Sequence, residues 1–202
     1  SFNEILFFFT RAAVGVGVPF GLAEDFGRTS ILIGSSGLDP AQIASPALQA
    51  LDDGLSSLGA SLTETGEETV LVPRSGKQLS AIQAGSTVCD WISTKTEVSK
   101  ISHHIVAKNV DHPFLIAAAV ASFNYGGWEI CWQGLEGSIC KVLICMNGSW
   151  KTSWSGSEIP KHSSTTDVII SPTNSMLFSS ENVVEQKIYL DDNRMRVLES
   201  GV

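Results

Sequence analysis

The sequence predicts an α+β protein, with N-terminal helices packed on a mainly antiparallel sheet that is built from hairpins in the C-terminal half. Three observations carry this. Apolar residues recur at helical spacing through the first part of the chain, from Ile5 to Leu58. Beyond Trp128 the apolar runs become short and are separated by turn signals, of which Asn147-Gly148 is the strongest. Helical patterning followed by hairpin patterning is the order of an α+β chain rather than an alternating α/β one. At 202 residues the chain reads as a single domain, residues 1–59 helical and 60–202 mixed and mainly β.

Taken in order, Ser1 and Glu4 have capping-box spacing, and Ile5, Phe8, Phe9, Ala12 and Ala13 fall near one helical face. Gly15 and Gly17 end that helix, and Pro19 suits the first turn of the next, since its ring leaves no N–H to satisfy. Glu24 and Arg28 stand four apart with the acid nearer the N-terminus, the favourable order for a helical pair. After a break at Gly34 to Gly37, Asp39-Pro40 and Ser45-Pro46 each read as a helix start, and Leu48, Leu51, Leu55 and Leu58 keep a helical period. Ser61 to Glu68 is polar and reads as a loop; Thr69 to Val72 is a short strand closed by Pro73. Leu79 to Ile92 favours a helix weakened by Gly85, with a strand over Thr87 to Ile92 as the rival, and Ser99 to Ala107 is ambiguous.

Asp111-His112-Pro113 opens Phe114 to Phe123, whose alanines and length favour a buried helix, with His112 as a local cap. Trp128 to Trp132 and Ile139 to Met146 read as strands. A two-residue type I′ turn at Asn147-Gly148 would pair Met146 with Ser149, Cys145 with Trp150 and Lys141 with Trp154. Leu143, Cys145, Trp150 and Trp154 would then share a face. Asp167 to Ser171 is a further strand, and Val184 to Leu190 with Met195 to Leu198 would form a hairpin about Asp191-Asp192-Asn193.

Composition narrows the function. Net charge is -8 and the 13 basic residues are scattered, so no nucleic-acid face and no anionic membrane surface is expected. No apolar run approaches the ~18 residues of a membrane span. Ile5 to Phe9 follows Glu4 rather than a basic segment, so no secretory leader is expected, and the chain reads as cytoplasmic. The four cysteines show no C-x-x-C spacing and read as small hydrophobes in strands. Charged residues are only 17%, which suits a chain that buries surface against a partner, a homo-oligomer included.

Several motifs come close to known chemistry without reaching it. Gly15-Val16-Gly17 and Gly21 resemble a dinucleotide fingerprint, but Phe20 stands at the third glycine, Pro19 intervenes, and the run follows a helix rather than a strand. His103, His104 and His112 lie within ten positions, yet lack the i, i+4 or H-x-H spacing of a metal site, so no metal is expected. Ser138-Ile139-Cys140-Lys141 matches S-x-x-K alone, without its companion motifs. All five tryptophans fall between positions 91 and 154, as an aromatic core or as a stacking platform.

The run AAVGVGVPFGLAEDFGR, Ala12 to Arg28, resembles the opening of a bacterial family classed only as a domain of unknown function, with the pattern A-x-x-G-x-G-x-P-x-G-L-A-E. Val110 to Trp132 is similar to that family's middle segment. The resemblance implies bacterial origin and a single domain; it implies no activity, cofactor or site residue. The functional expectation is therefore a ligand-binding or self-associating domain. The alternative is a small-metabolite enzyme whose anion site lies at the helix corner formed by Gly17, Gly21, Glu24 and Arg28, where free helix amides attract an anionic metabolite.

Overall fold

Ser1 and Glu4 form the expected capping box at the start of α1 (Phe2–Gly15). The structure, a computed structural model, describes residues 1–65, 68–94, 104–146, 149–154, 158–162, 166–173 and 184–186, the last three and residue 136 by backbone alone. Gly17 turns the chain at φ +88°, a conformation that costs glycine nothing. Pro19 sits one place earlier than expected, as the residue before α2 (Phe20–Ser35), and Asp39 caps α3 (Pro40–Asp52) by accepting from the Ala41 amide at 2.8 Å. Pro46 does not start a helix: it lies within α3 on its exposed side, where the bond it forgoes would reach only into the first turn. Gly54, at φ +68°, closes α3, so Leu55 and Leu58 fall outside the helical period assigned to them and β1 (Ser56–Ser57) follows.

The segment expected to be a loop is a strand. β2 (Ala60–Thr65) pairs antiparallel with β3 (Glu68–Pro73). Its polar composition reflects an edge position: among the described residues no strand covers its far side, and Leu62 to Thr65 face solvent. β4 (Gln78–Leu79) leads to α4 (Ala81–Ser93), which settles the helix-or-strand ambiguity for the helix. Then come β5 (His104–Val110), α5 (Pro113–Ser122), β6 (Trp128–Gln133), β7 (Ile139–Ile144), β8 (Trp150–Thr152), β9 (Thr166–Pro172) and β10 (Val184–Gln186).

The strands form one mixed sheet in the order β1-β4-β5-β9-β6-β7-β8-β10, with β3 of the β2–β3 hairpin also pairing with β5. The contacts of β5 with β3 and β4, and of β4 with β1, are parallel; the other pairings are antiparallel. α4 and α5 lie on one face of the sheet, α2 packs over them and α1 packs on α2. This order explains α5: it is sandwiched between the sheet and α2, and every residue from Pro113 to Ala121 is buried. Trp91, Trp128, Trp132 and Trp150 are buried and Trp154 is half-buried, so the tryptophans form core rather than an exposed platform.

The β7–β8 register departs from the expected one. Ile144 pairs with Trp150, Leu143 with Lys151 and Val142 with Thr152, and the Cys145 amide donates to the Ser149 carbonyl at 2.7 Å. This is one residue away from the pairing that a two-residue turn would set. Asn147-Gly148, the expected turn, lies outside the described residues. The reason for the shift is burial. In this register Trp150 joins Val142 and Ile144 on the face under the helices, whereas slipping by one residue would exchange faces. Lys141 accordingly meets Ser153 and Glu129 rather than Trp154. Of the expected last hairpin, residues 187–198 also lie outside the described set.

Candidate functional site at the end of β5

β4 and β5 run parallel, and each feeds a helix from its C-terminal end, β4 into α4 and β5 into α5. Asp111 sits where these ends meet. Its amide donates to the Leu79 carbonyl at 3.1 Å, and its Oδ1 accepts from the Ala81 amide at 2.7 Å. Asp111 therefore caps α4 across the sheet, beside Ser80, whose hydroxyl accepts from the Ile82 amide at 3.3 Å. His112 stands at the N-cap position of α5 before Pro113, as expected, but its side chain makes no cap bond.

Asp111 is only 4% exposed. Its second oxygen, Oδ2, and the buried Ser56 hydroxyl form no hydrogen bond of good geometry, although the Ser56 hydroxyl and the His112 amide stand close enough to favour the ionised carboxylate. Burial dominates and pushes the Asp111 carboxyl up, against the opposing pull of His112 and the Ala81 amide. His112 is pushed the other way, down, first by burial and further by His162; Asp111 and the Pro46 backbone work against this. The two shifts favour a neutral acid beside a neutral imidazole. Such a pair can hold a proton or pass it between the two groups.

His162 is held by a bridge of its strand segment to Gly134, and its ring lies 6.1 Å from that of His112, nearly perpendicular to it. Next to His112, Phe114 packs on Trp150 at 5.4 Å and on Trp154 at 6.3 Å, and Trp154 packs on Trp132 at 5.7 Å. The site is thus a buried carboxyl beside His112 at the C-terminal ends of two parallel strands, with the His162 ring next to that of His112.

The corner residues singled out by the sequence are placed apart from it. Gly17 and Gly21 lie exposed on either side of Pro19, with open space where a Cβ would go. Glu24 is half-buried and Arg28 exposed on α2, and no ion pair joins them. Arg28 acts instead on the neighbouring Asp25, which accepts from the Ser86 hydroxyl at 3.2 Å and whose carboxyl is pushed up by burial. The crevice beside Asp25, Thr29 and Ser86 is about 10 Å³, room for one water. A wider groove of about 400 Å³ opens near the β2 edge between Leu62, Arg74, Gln83 and Thr87. His103 lies outside the described residues; His104 faces Glu68 at 3.5 Å. Among the described residues no three His, Cys, Asp or Glu side chains are grouped to hold a metal, and no helix is long and apolar enough to cross a membrane.

No protein-family model and no curated protein sequence matches the chain. Solved structures do share its fold. Sulfolactate dehydrogenase from Methanocaldococcus jannaschii matches with a TM-score of 0.55 at 9% identity, over 90% of this chain and 79% of that one. Malate dehydrogenase from Pyrococcus horikoshii OT3 matches at 0.50 and 12% identity, over 70% of this chain and 46% of that one. Malate dehydrogenase from Entamoeba histolytica matches at 0.47 and 13%, over 71% and 45%. The chain therefore spans less than half the length of these malate dehydrogenases. At such identities the likeness concerns the fold.

Proposed function

We propose that this chain is a cytoplasmic domain that binds a small anionic hydroxy acid at Asp111, His112 and His162, with His112 holding or accepting the proton of the ligand's hydroxyl. The observation that carries the reading is the buried Asp111–His112 pair, in which Asp111 Oδ2 and Ser56 Oγ form no hydrogen bond of good geometry. Polar atoms so buried are costly unless something completes them. The uncapped first turn of α5 favours a negative group at the same place. In open sheets, ligands gather beyond the C-terminal ends of parallel strands, where this pair stands. Malate and sulfolactate, named for two proteins of similar fold, are hydroxy acids of this class. Four free thiols suit a reducing compartment.

The test is thermal unfolding of the wild type, His112→Gln and Arg28→Ala with malate, sulfolactate, lactate and inorganic phosphate. The expected outcome is a rise in Tm with a hydroxy acid that is lost in His112→Gln and kept in Arg28→Ala. Loss in Arg28→Ala alone would move the anion site to the Gly17, Gly21, Glu24 and Arg28 corner. No rise with any of the four would remove the proposal.

A second reading, self-association, is favoured by a separate observation. Phe7, Phe8 and Phe20 are 54%, 65% and 65% exposed, all on the outermost helix and the corner after it.

A further inference from the structure

α1 has two faces. Ile5, Leu6, Phe9 and Ala13 turn toward α2, with Phe9 packed on Phe26 at 5.9 Å. The opposite face carries Ser1, Glu4, Phe8, Arg11 and Gly15, all exposed and spaced alternately by three and four. That spacing makes a continuous seam along a helix, the arrangement through which two helices pair. Phe7 and Val14 widen it on one side and Ala12 on the other, all three exposed. Phe7 and Phe8 touch edge to face at 5.7 Å, and the Arg11 guanidinium lies 5.2 Å over the Phe7 ring.

We infer that this seam is a two-fold interface, in which α1 of one copy packs antiparallel on α1 of a second copy of this chain, with the axis between Phe7 and Phe8. The inference rests on the self-association reading and names its surface, partner and register. What singles out a second copy is charge complementarity. With the axis between Phe7 and Phe8, the two phenylalanines flank the seam, and Phe8 meets the partner's Phe8 on one side as Phe7 meets the partner's Phe7 on the other. The same operation brings Glu4 opposite the partner's Arg11, and Arg11 opposite the partner's Glu4. A two-fold contact must satisfy itself in this reciprocal way. Helices in parallel, or antiparallel with the axis moved by a turn, lose both charge pairs. Stacking on Phe7 orients Arg11 over the seam and leaves the edge of its guanidinium free to meet a carboxylate. The surface is one helix wide, so the dimer is a weak one, of the class that forms at micromolar concentration or above.

Sedimentation velocity across a concentration series tests this, together with disulfide trapping. The wild type is expected to dimerise reversibly, and Phe8→Ala to weaken the dimer about a hundredfold. Glu4→Arg and Arg11→Glu are each expected to weaken it about tenfold, because both copies then oppose like charges. Glu4→Arg combined with Arg11→Glu restores the pairing and the affinity. Phe8→Cys, with Cys131→Ser and Cys145→Ser, is expected to form a disulfide dimer under mild oxidation, while Asn3→Cys in the same background is not. A wild type that stays monomeric at all concentrations overturns both the interface and the self-association reading. A dimer indifferent to charge reversal, or not rescued by the double exchange, overturns the register while leaving self-association standing.

Discussion

The carboxylate of Asp111 accepts the amide of Ala81 at 2.7 Å, so the end of β5 holds the start of α4 thirty residues earlier in the chain. One acid thus joins two parallel strands to the helices that follow them. It also leaves an unsatisfied oxygen beside His112.

The pH dependence of stability is set by the directions of these two shifts. Asp111 is raised in the folded state, so its contribution is complete when both states are protonated. It declines as pH rises from the unfolded carboxyl value of about 3.9 toward its own. His112 is lowered, so its contribution is complete above the unfolded value of about 6.5. It is lost as pH falls from there toward its own. His112→Gln should therefore flatten the wild type's loss of stability below about pH 6.5, and Asp111→Asn should remove the decline that begins above about pH 4 while still accepting from Ala81. Asp111→Ala, which also loses the cap, should cost about 1–2 kcal/mol. Urea titrations from pH 4 to 8 measure all three; unchanged pH slopes in His112→Gln and Asp111→Asn would show that the pair does not titrate as described.

At Gly85 α4 and α5 approach closely. A Cβ there would lie 2.9 Å from the Ala119 Cβ, and little can yield, because the Leu115 carbonyl and the Ile116 Cα stand just behind. Alanine improves helix propensity by about 1 kcal/mol, while overpacking costs about 1–3 kcal/mol. Gly85→Ala should accordingly destabilise by about 0–2 kcal/mol net, and adding Ala119→Gly should recover the overpacking part. Chemical denaturation of the single and double variants decides this. A stabilised single variant would mean that the helices separate freely.

The β7–β8 register is tested by one residue on each face. Trp150 is fully buried opposite Ile144, whereas Ile139 is 65% exposed at the start of β7. Trp150→Ala should cost about 3–5 kcal/mol and Ile139→Ala less than about 0.5 kcal/mol. Comparable losses, read from equilibrium melts, would indicate the alternative register, in which Trp150 shares the face of Leu143.

Much of the architecture is legible locally. The Ser1–Glu4 box, the Asp39-Pro40 start and the apolar alanines of Phe114 to Ala121 each report within one or two turns of chain, because caps and helical periodicity are short-range. Edge strand β2 is not legible: Leu62 to Thr65 are exposed on both faces, so the alternation that marks a half-buried strand is missing. Nor is the candidate site. His112 beside Pro113 reads as a cap, but the bond that matters runs from Asp111 to a helix thirty residues earlier, and His162 arrives from another part of the chain. The glycines of the Gly17 to Arg28 corner suggest a binding loop, yet tertiary packing leaves Glu24 and Arg28 unpaired with each other.

The amino-acid order alone determined the capped start of α1, the Asp39-Pro40 start of α3 and that the class is α+β. Tertiary structure alone decided the β7–β8 pairing, the parallel contacts of β5, and the meeting of a buried acid with two imidazoles. The physical reason is range. A cap or an apolar period is satisfied by neighbours in the chain. The face of a strand and the ionisation of a buried group depend on which distant segments exclude water from them.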